Sequence, residues 1–559
     1  MTIPKVLIIG FDAATPRLVE QWVAEGRLPT IGRFLSEGAY GPLRSVPNRN
    51  SAPAWSTMVT GLNPGKHGVY WFTEDKPETY DYTFVNGSFR HGKAFWRVLS
   101  EEGQRVGIMN VPITFPAEAV NGVLVAGSDS PSADDPRFTH PPELRHEVVD
   151  AAGGEYYVHP GLARYVVAGE ADEGLDRLHH AIDKRAAVAT RLMETRPWDA
   201  FMVVFTESDV VQHFFWRQME SPAPGDPPRH RHAIRDTYEH LDQVADKLIA
   251  SAGPDTLVVL VSDHGARYDD GLARAVPSWL EHLGLLAYRT RDGSSRLRSA
   301  AQGSATFTFR QLDKRLSPEA KHKLARRVPW LRSRVEVMMS FAKVDWSRTQ
   351  AYTDGKRPEI WINLRGRQAQ GIVEPRDYEA VRQRIIDAMS GAVCLKSGQP
   401  LVRKVWRREE AYSGPFVERS PDLVIEWRDV SSGLEIRNPD GTTVRLRKQH
   451  LPNDPFDKVL NGGHSQHGVV GLLGPGVRPG RIEGAEIADI APTVLFLRDA
   501  PIAADVDGKV LTQALDPALV GSRQMRRGGE AVRVEETIGY SAEEEAEIHE
   551  RLAGLGYVE

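Results

Sequence analysis

Four short apolar runs, Lys5–Gly10, Ala200–Phe205, Thr256–Val261 and Gly468–Leu473, constrain the fold of this chain more than any other feature. Each is bounded by Gly, Asp or Pro and is too short for a free-standing buried helix, so each reads as a strand buried on both faces. Such strands need a layer of helices on either side, which defines an α/β class with a largely parallel central sheet. The intervening segments agree. Leu175–Thr195 and Ala233–Ala250 read as covering helices, the second with Leu241, Val244, Leu248 and Ile249 at helical spacing.

Open α/β sheets bind ligands beyond the carboxyl ends of their strands. In this sequence Asp12 follows the first run, Glu207 and Asp209 the second, and Asp263 and His264 the third, while His464 precedes the fourth. Asp209 and His213 are spaced i, i+4, so a helix presents both side chains on one face, within reach of one cation. The same spacing suits a surface ion pair or a cap. Asp263 and His264 put a carboxylate and an imidazole side by side at a strand end, where Gly265 permits a sharp turn; a helix N-cap by Asp263 accounts for that pair equally well. His464 lies in a Gly-rich loop, Asn461 to Gly468, where a lone histidine is ordinarily exposed.

Their joint occurrence carries the weight. Asp12, Asp209, His213, Asp263, His264 and His464 form an oxygen and nitrogen donor set without thiolates, suited to Zn²⁺ or Mn²⁺ and large enough for two divalent ions. Two ions about 3.5–4 Å apart support in-line phosphoryl displacement. A hydroxyl nucleophile then belongs near Asp12. Ser51 is the candidate, with Pro53 in the first turn of a following helix whose N-terminus favours an anion. Ser51 as a plain N-cap is the alternative, and Ser45, Ser56, Thr57 and Thr60 are competing hydroxyls.

At 559 residues, with 41% hydrophobic and 26% charged residues, the chain is long enough for a large core domain with an insertion. The expected division is a catalytic α/β core over 1–269, an inserted lid or cap over 270–430, and the rest of the core over 431–559, ending in a charged helix from Ser541 that packs back through Leu555-Gly556-Tyr557. Within the cap, Leu312–Arg334 reads as a basic helix with a solvated face, Glu359–Asn363 as a strand and Tyr378–Met389 as a helix. The Pro-rich stretch Ser221–Pro228 reads as a surface loop. A net charge of −5 with scattered positive residues gives no electrostatic footprint for nucleic acid or an anionic membrane. Cys394 is the single cysteine, so no intrachain disulfide forms, and it reads as a small buried apolar residue. No run approaches the roughly 20 apolar residues that span a bilayer, and Val6–Ile9 is too short for a signal core, so the expected location is cytoplasmic.

The ordered motifs resemble a known family. They comprise the Asp12 strand end, Ser51-x-Pro53, Thr60-Gly61-x-x-Pro64-x-x-His67-Gly68, Asp209-x-x-x-His213, Ser262-Asp263-His264-Gly265, and the His464 loop followed by Gly474-Pro475-Gly476. Together they look like the alkaline phosphatase superfamily, in its type I phosphodiesterase/nucleotide pyrophosphatase branch. Ala488–Thr493, Asp505–Gly508 and the near-terminal Leu-Gly-Tyr further resemble prokaryotic members described as predicted phosphohydrolases or phosphomutases.

The resemblance implies an alkaline-phosphatase-like fold. It also implies one metal on Asp209, His213 and His464 and another on Asp12, Asp263, His264 and Ser51. Ser51 would attack phosphorus in a small-molecule phosphodiester or phosphomonoester and form a phosphoserine, whose phosphate a phosphomutase would instead return to a substrate. His67 is expected to pack at a helix end and His467 to stand behind the ligands. An Asn common in nucleotide pyrophosphatases shortly after His-Gly is missing, because His67-Gly68 runs into Val69-Tyr70-Trp71-Phe72. Asn50, Arg49 and Lys66 are the expected substitutes as phosphate-binding groups, and the aromatics are expected in the core. A sulfatase reading of Ser51-Ala-Pro-Ala is disfavoured by Trp55, which stands where that branch requires Arg.

Overall fold

The computed structural model describes residues 3–76, 78–289, 341, 343–353, 357, 359–428, 433–448, 456, 458–532 and 536–558. The basic stretch expected at Leu312–Arg334 lies outside them.

The strands that position the site are β1 (Lys5–Phe11), β2 (Ala39–Arg44), β3 (Val106–Val111), β4 (Gly122–Ala126), β5 (Ala200–Phe205), β6 (Thr256–Val261), β7 (Gly265–Tyr268), β8 (Gly462–Ser465) and β9 (His467–Leu473). The helices are α1 (Ser51–Thr60), α2 (Ala171–Thr195), α3 (Glu207–Glu220), α4 (Pro228–Ala252), α5 (Tyr378–Ser390) and α6 (Ala542–Gly554). Seven of the strands lie side by side in the order β2-β9-β6-β1-β5-β3-β4 within a ten-stranded sheet. Strands β6, β1, β5, β3 and β4 run parallel. All their apolar side chains are buried, as their unbroken Val, Ile and Leu content requires. Each such side chain contributes about 1.5–3 kcal/mol when fully buried. Helix α4 packs on both α2 and α3.

β9 departs from the simple parallel picture: it runs antiparallel to both β6 and β2. The reversal matters for the site. An antiparallel strand begins where its parallel neighbours end, so the residues before β9 share an edge of the sheet with the residues after β1, β5 and β6. The short pair β7–β8 tightens this juxtaposition by placing Ala266 opposite His464.

A second hydrophobic core runs from Leu272 to Leu446 and includes Trp279, Ile360, Ile385, Leu423 and Ile436. It extends past the 430 boundary expected from sequence, because Ile436 and Leu446 pack with α5 and its neighbours rather than with the central sheet. The strand expected at Glu359–Asn363 is reduced to Trp361–Ile362. Cys394 is buried in this second core. Among the described residues, no helix is long and apolar enough to cross a membrane.

Candidate active site

Ser51 opens α1 and is almost fully buried. Its neighbour Asn50 is the N-cap, accepting a hydrogen bond from the Ala52 N–H at 3.2 Å. That removes capping from Ser51, whose hydroxyl instead lies 3.1 Å from His264 Nε2. The competing hydroxyls along the helix are engaged elsewhere. Ser56 and Thr60 donate to the carbonyls of Ala52 and Ser56, and Thr57 pairs with His67.

Asp12 leaves the end of β1, and Asp263 and His264 leave the end of β6. Trp55 Nε1–H donates to Asp12 Oδ2 at 3.0 Å, and the Ala13 N–H donates to Asp263 Oδ1 at 3.2 Å. The other oxygens, Asp12 Oδ1 and Asp263 Oδ2, are buried without a hydrogen-bond donor among the described residues. They lie 3.8 and 3.2 Å from His264 Nε2. Each carboxylate therefore has one anchored oxygen and one directed at a shared point. Burial first, then the Asp263 and Asp209 charges, push the Asp12 carboxyl well above its ordinary pKa. Asp263 is likewise raised, chiefly by burial.

Helix α3 presents Asp209 and His213 on one face, with Asp209 Oδ2 3.3 Å from His213 Nε2. His464 completes this half: its Nε2 is 3.3 Å from His213 Nε2 and 3.6 Å from Asp209 Oδ1. The two halves are continuous, since the His264 and His464 rings stack with centroids 4.0 Å apart. Burial alone would raise the Asp209 carboxyl, but His213, His464 and His264 outweigh it and leave it below the usual range. Burial and then His264 hold His464 well below its ordinary value.

The outward nitrogens fix the chemistry of the cluster. Nδ1 of His213, His264 and His464 each faces a main-chain carbonyl, that of Gly462, Gly265 and Arg49, at 3.1, 3.1 and 2.7 Å. A neutral imidazole that donates from Nδ1 turns an Nε2 lone pair inward. The three Nε2 atoms and the Asp12 Oδ1 and Asp263 Oδ2 oxygens thus face inward as a set of nitrogen and oxygen donors. The donor set therefore fits divalent metal. Two groups, Asp12/Asp263/His264 and Asp209/His264/His464, have ligand atoms all within 4.8 Å of one another.

Not every residue singled out from sequence joins the cluster through its side chain. Arg49 enters through its carbonyl, held at φ 48°. Asn50 is fully buried and its Nδ2 has no acceptor among the described residues. Lys66 is committed elsewhere, with Nζ 2.5 Å from Asp507 Oδ1 and 2.6 Å from the Asp505 carbonyl. Those residues brace the far end of α1, where Asp507 N–H bonds to the Gly61 carbonyl; a helix of that length carries it roughly 15 Å from Ser51. Glu207 forms a fully buried ion pair with Arg185. His67 packs at its helix end as expected, between Thr57 Oγ1 and the Val69 N–H, and burial, followed by Arg90 and His91, pushes its pKa down to about 3. His467 opens β9 opposite Arg44. Trp71 and Phe72 are buried in a core shared with α6.

Two site residues escaped the sequence reading. Trp55, noted there only as a departure from sulfatases, anchors Asp12. Tyr557, noted only as part of a terminal motif, brings its hydroxyl to 3.3 Å from His464 Nε2. The available signal was a tyrosine directly after a Gly that ends a helix; nothing in its spacing from the ligands pointed to the cluster.

The fold and site together define an α/β protein with a carboxylate–imidazole cluster beside a buried serine at the carboxyl edge of its sheet. The chain belongs to the type I phosphodiesterase/nucleotide pyrophosphatase family, whose model matches residues 6–450, and so to the alkaline phosphatase superfamily. Similar solved structures include phosphonoacetate hydrolase from Sinorhizobium meliloti 1021, at 14% identity and a TM-score of 0.48, covering 89% of this chain and 96% of that one. Human ectonucleotide pyrophosphatase/phosphodiesterase 5 is 12% identical with a TM-score of 0.45, over 92% of this chain and 100% of that one. The murine protein of that name is 13% identical with a TM-score of 0.41, over 89% and 95%. No curated protein matches the chain in sequence.

Proposed function

We propose that the protein hydrolyses a small-molecule phosphodiester or phosphomonoester through a phosphoserine on Ser51. The observation that carries this reading is the Ser51 hydroxyl, freed from capping by Asn50 and 3.1 Å from His264 Nε2, beside the unpaired Asp12 and Asp263 oxygens.

Asp209, His213 and His464 would hold one divalent ion, and Asp12, Asp263, His264 and Ser51 a second, with Zn²⁺ or Mn²⁺ suited to these donors. Such ions supply Lewis acidity, which lowers the serine pKa and offsets charge on the phosphoryl oxygens. Ser51 Oγ forms a bond to phosphorus as the ester P–O bond breaks, and the leaving oxygen acquires a proton as the alcohol departs. Water then forms the new P–O bond, the Oγ–P bond breaks and Ser51 regains its proton. Asn50 Nδ2, buried beside Ser51 and without an acceptor among the described residues, would donate to a phosphoryl oxygen, as would the amino end of α1. The main-chain carbonyls behind the three histidines hold them in the tautomer this chemistry needs.

Ser51→Ala should abolish turnover of the best substrate in a panel of phosphomonoesters, phosphodiesters and nucleotides while leaving bound metal unchanged. Acid quench of wild type should trap phosphate on Ser51 by peptide mass spectrometry. Retained turnover in Ser51→Ala would overturn the assignment. Reaction in ¹⁸O-water should place solvent oxygen in released phosphate; its absence in a product that keeps its phosphate would indicate a phosphomutase instead.

A further inference from the structure

The C-terminal segment carries an unassigned polar group into the cluster. Helix α6 begins with a capping box, in which Ser541 and Glu544 each bind the other's backbone N–H. It packs Ile548, Leu552 and Ala553 into a buried cluster with Val69, Trp71 and Phe72. The segment is also fastened by polar contacts: Tyr540 Oη donates to the Asp129 carbonyl at 2.7 Å, and Arg551 Nη1 donates to the Ser130 carbonyl at 2.7 Å.

The end of the helix then aims Tyr557. Gly556 takes φ +81°, and the Tyr557 N–H returns to the Leu552 carbonyl at 2.9 Å, closing a Schellman motif. A β-carbon at Gly556 would be strained by that φ and would lie 2.9 Å from Leu460 Cδ1. Trp71 Nε1 donates to the Tyr557 carbonyl at 3.1 Å. The Tyr557 ring lies 4.7 Å from the Phe72 ring and 5.9 Å from the His464 ring, centroid to centroid. Its hydroxyl is 3.3 Å from His464 Nε2 and interacts with the side chains of Ser51, Asp209 and Asp12. A buried phenol held by its ring, its carbonyl and its amide has little freedom to turn away.

We propose that the Tyr557 hydroxyl donates a hydrogen bond to a non-bridging oxygen of the phosphoryl group during its transfer to and from Ser51. The inference rests on the function proposed above. It follows from placement: the hydroxyl lies 3.3 Å from His464 Nε2 and within hydrogen-bonding reach of the Ser51 side chain, so it stands between the ligand set and the nucleophile. With His464 Nε2 given to a metal ion and Ser51 Oγ bonded to phosphorus, the acceptor left for it is the substrate. Asn50 Nδ2 and Tyr557 Oη would grip the phosphoryl group from two sequence-distant segments, making the C-terminal helix part of the active site rather than a structural tail.

Tyr557→Phe tests this, since it keeps the ring and removes one O–H. The expected result is a fall of about 10- to 100-fold in kcat/KM, uniform across leaving groups of different basicity, as for removal of one donor to a charged phosphoryl oxygen. Inhibition by orthovanadate, a mimic of the pentavalent arrangement, should weaken by a similar factor, with bound metal and melting temperature unchanged. Wild-type turnover and vanadate affinity retained in Tyr557→Phe would overturn the proposal, as would loss of metal, which would make Tyr557 a support for His464. Should Tyr557→Phe fail to fold, a full chain carrying 3,5-difluorotyrosine at 557, a stronger donor, replaces it; kcat/KM and vanadate affinity that both match wild type overturn the proposal, and a matching change in both sustains it. Ser51→Ala, assayed in parallel, separates the readings: if it remains active, the serine mechanism has failed, whereas an inactive Ser51→Ala beside a fully active Tyr557→Phe refutes only the tyrosine assignment.

Discussion

Trp55→Phe is the perturbation that most directly tests how the site is held. The indole Nε1–H is 3.0 Å from Asp12 Oδ2, and both residues are buried. Phenylalanine keeps most of the apolar contact but leaves Asp12 with no donor on either oxygen, since Oδ1 already has none. A hydrogen bond to a charged group is worth about 1.5–3 kcal/mol, which is roughly a 10- to 150-fold change in an equilibrium constant. Groups that orient metal ligands from behind affect metal affinity about 10- to 100-fold. On the two-ion site proposed above, the ion held by Asp12, Asp263 and His264 should therefore bind about 10- to 100-fold more weakly. The ion on Asp209, His213 and His464, whose contacts Trp55 does not make, should be unaffected. Titrating Zn²⁺ into chelator-stripped protein against a chromophoric competitor resolves two dissociation constants, and turnover should recover at high metal. Two unchanged constants would refute the anchoring role; equal weakening of both would mean that the substitution merely loosens the fold.

Three further outcomes follow from the same geometry. Gly10→Ala would place Cβ 2.7 Å from Trp55 Cη2 and 2.9 Å from Val204 Cγ2. Overpacking of that kind costs about 1–3 kcal/mol, so urea unfolding should shift accordingly and the Asp12 metal site should weaken with it; a variant as stable as wild type would contradict the packing. The buried His67 has a pKa of about 3, below its unfolded value, so the stability it contributes is complete above pH 6.5 and is lost as pH falls toward 3. At pH 5 the loss amounts to roughly 2 kcal/mol, and His67→Asn should flatten the pH dependence of urea unfolding between pH 6.5 and 4; an unchanged slope would refute the assignment. Removing metal should lower the melting temperature, because burial and their mutual proximity disfavour ionised Asp12 and Asp263 when no cation lies between them; calorimetry that finds no shift on chelation would count against a resident ion.

The sequence alone determined the sheet's inner strands and most of the cluster. Wholly apolar runs such as Ala200–Phe205 and Thr256–Val261 have no stable arrangement except between two layers, and their boundaries coincide with β5 and β6. An i, i+4 Asp–His pair on a helix can only point one way, so the Asp209–His213 contact was legible too. The roles at Ser51 were not legible, because either Asn50 or Ser51 has the chemistry of a cap; backbone geometry gives the cap to Asn50. Tertiary structure also separated the expected phosphate-binding residues: it commits Lys66 to Asp507 and leaves Asn50 Nδ2 unpaired.

The direction of β9 and the arrival of Tyr557 depend on the whole fold. A strand's residues do not encode whether its neighbours run with it or against it, yet that reversal brings His464, before one strand, to Asp209 and His264, which follow two others. A terminal helix likewise encodes its buried face but not the surface that receives it. Local sequence fixes periodicity, apolarity and caps; contacts among residues hundreds of positions apart form only where all the layers pack at once.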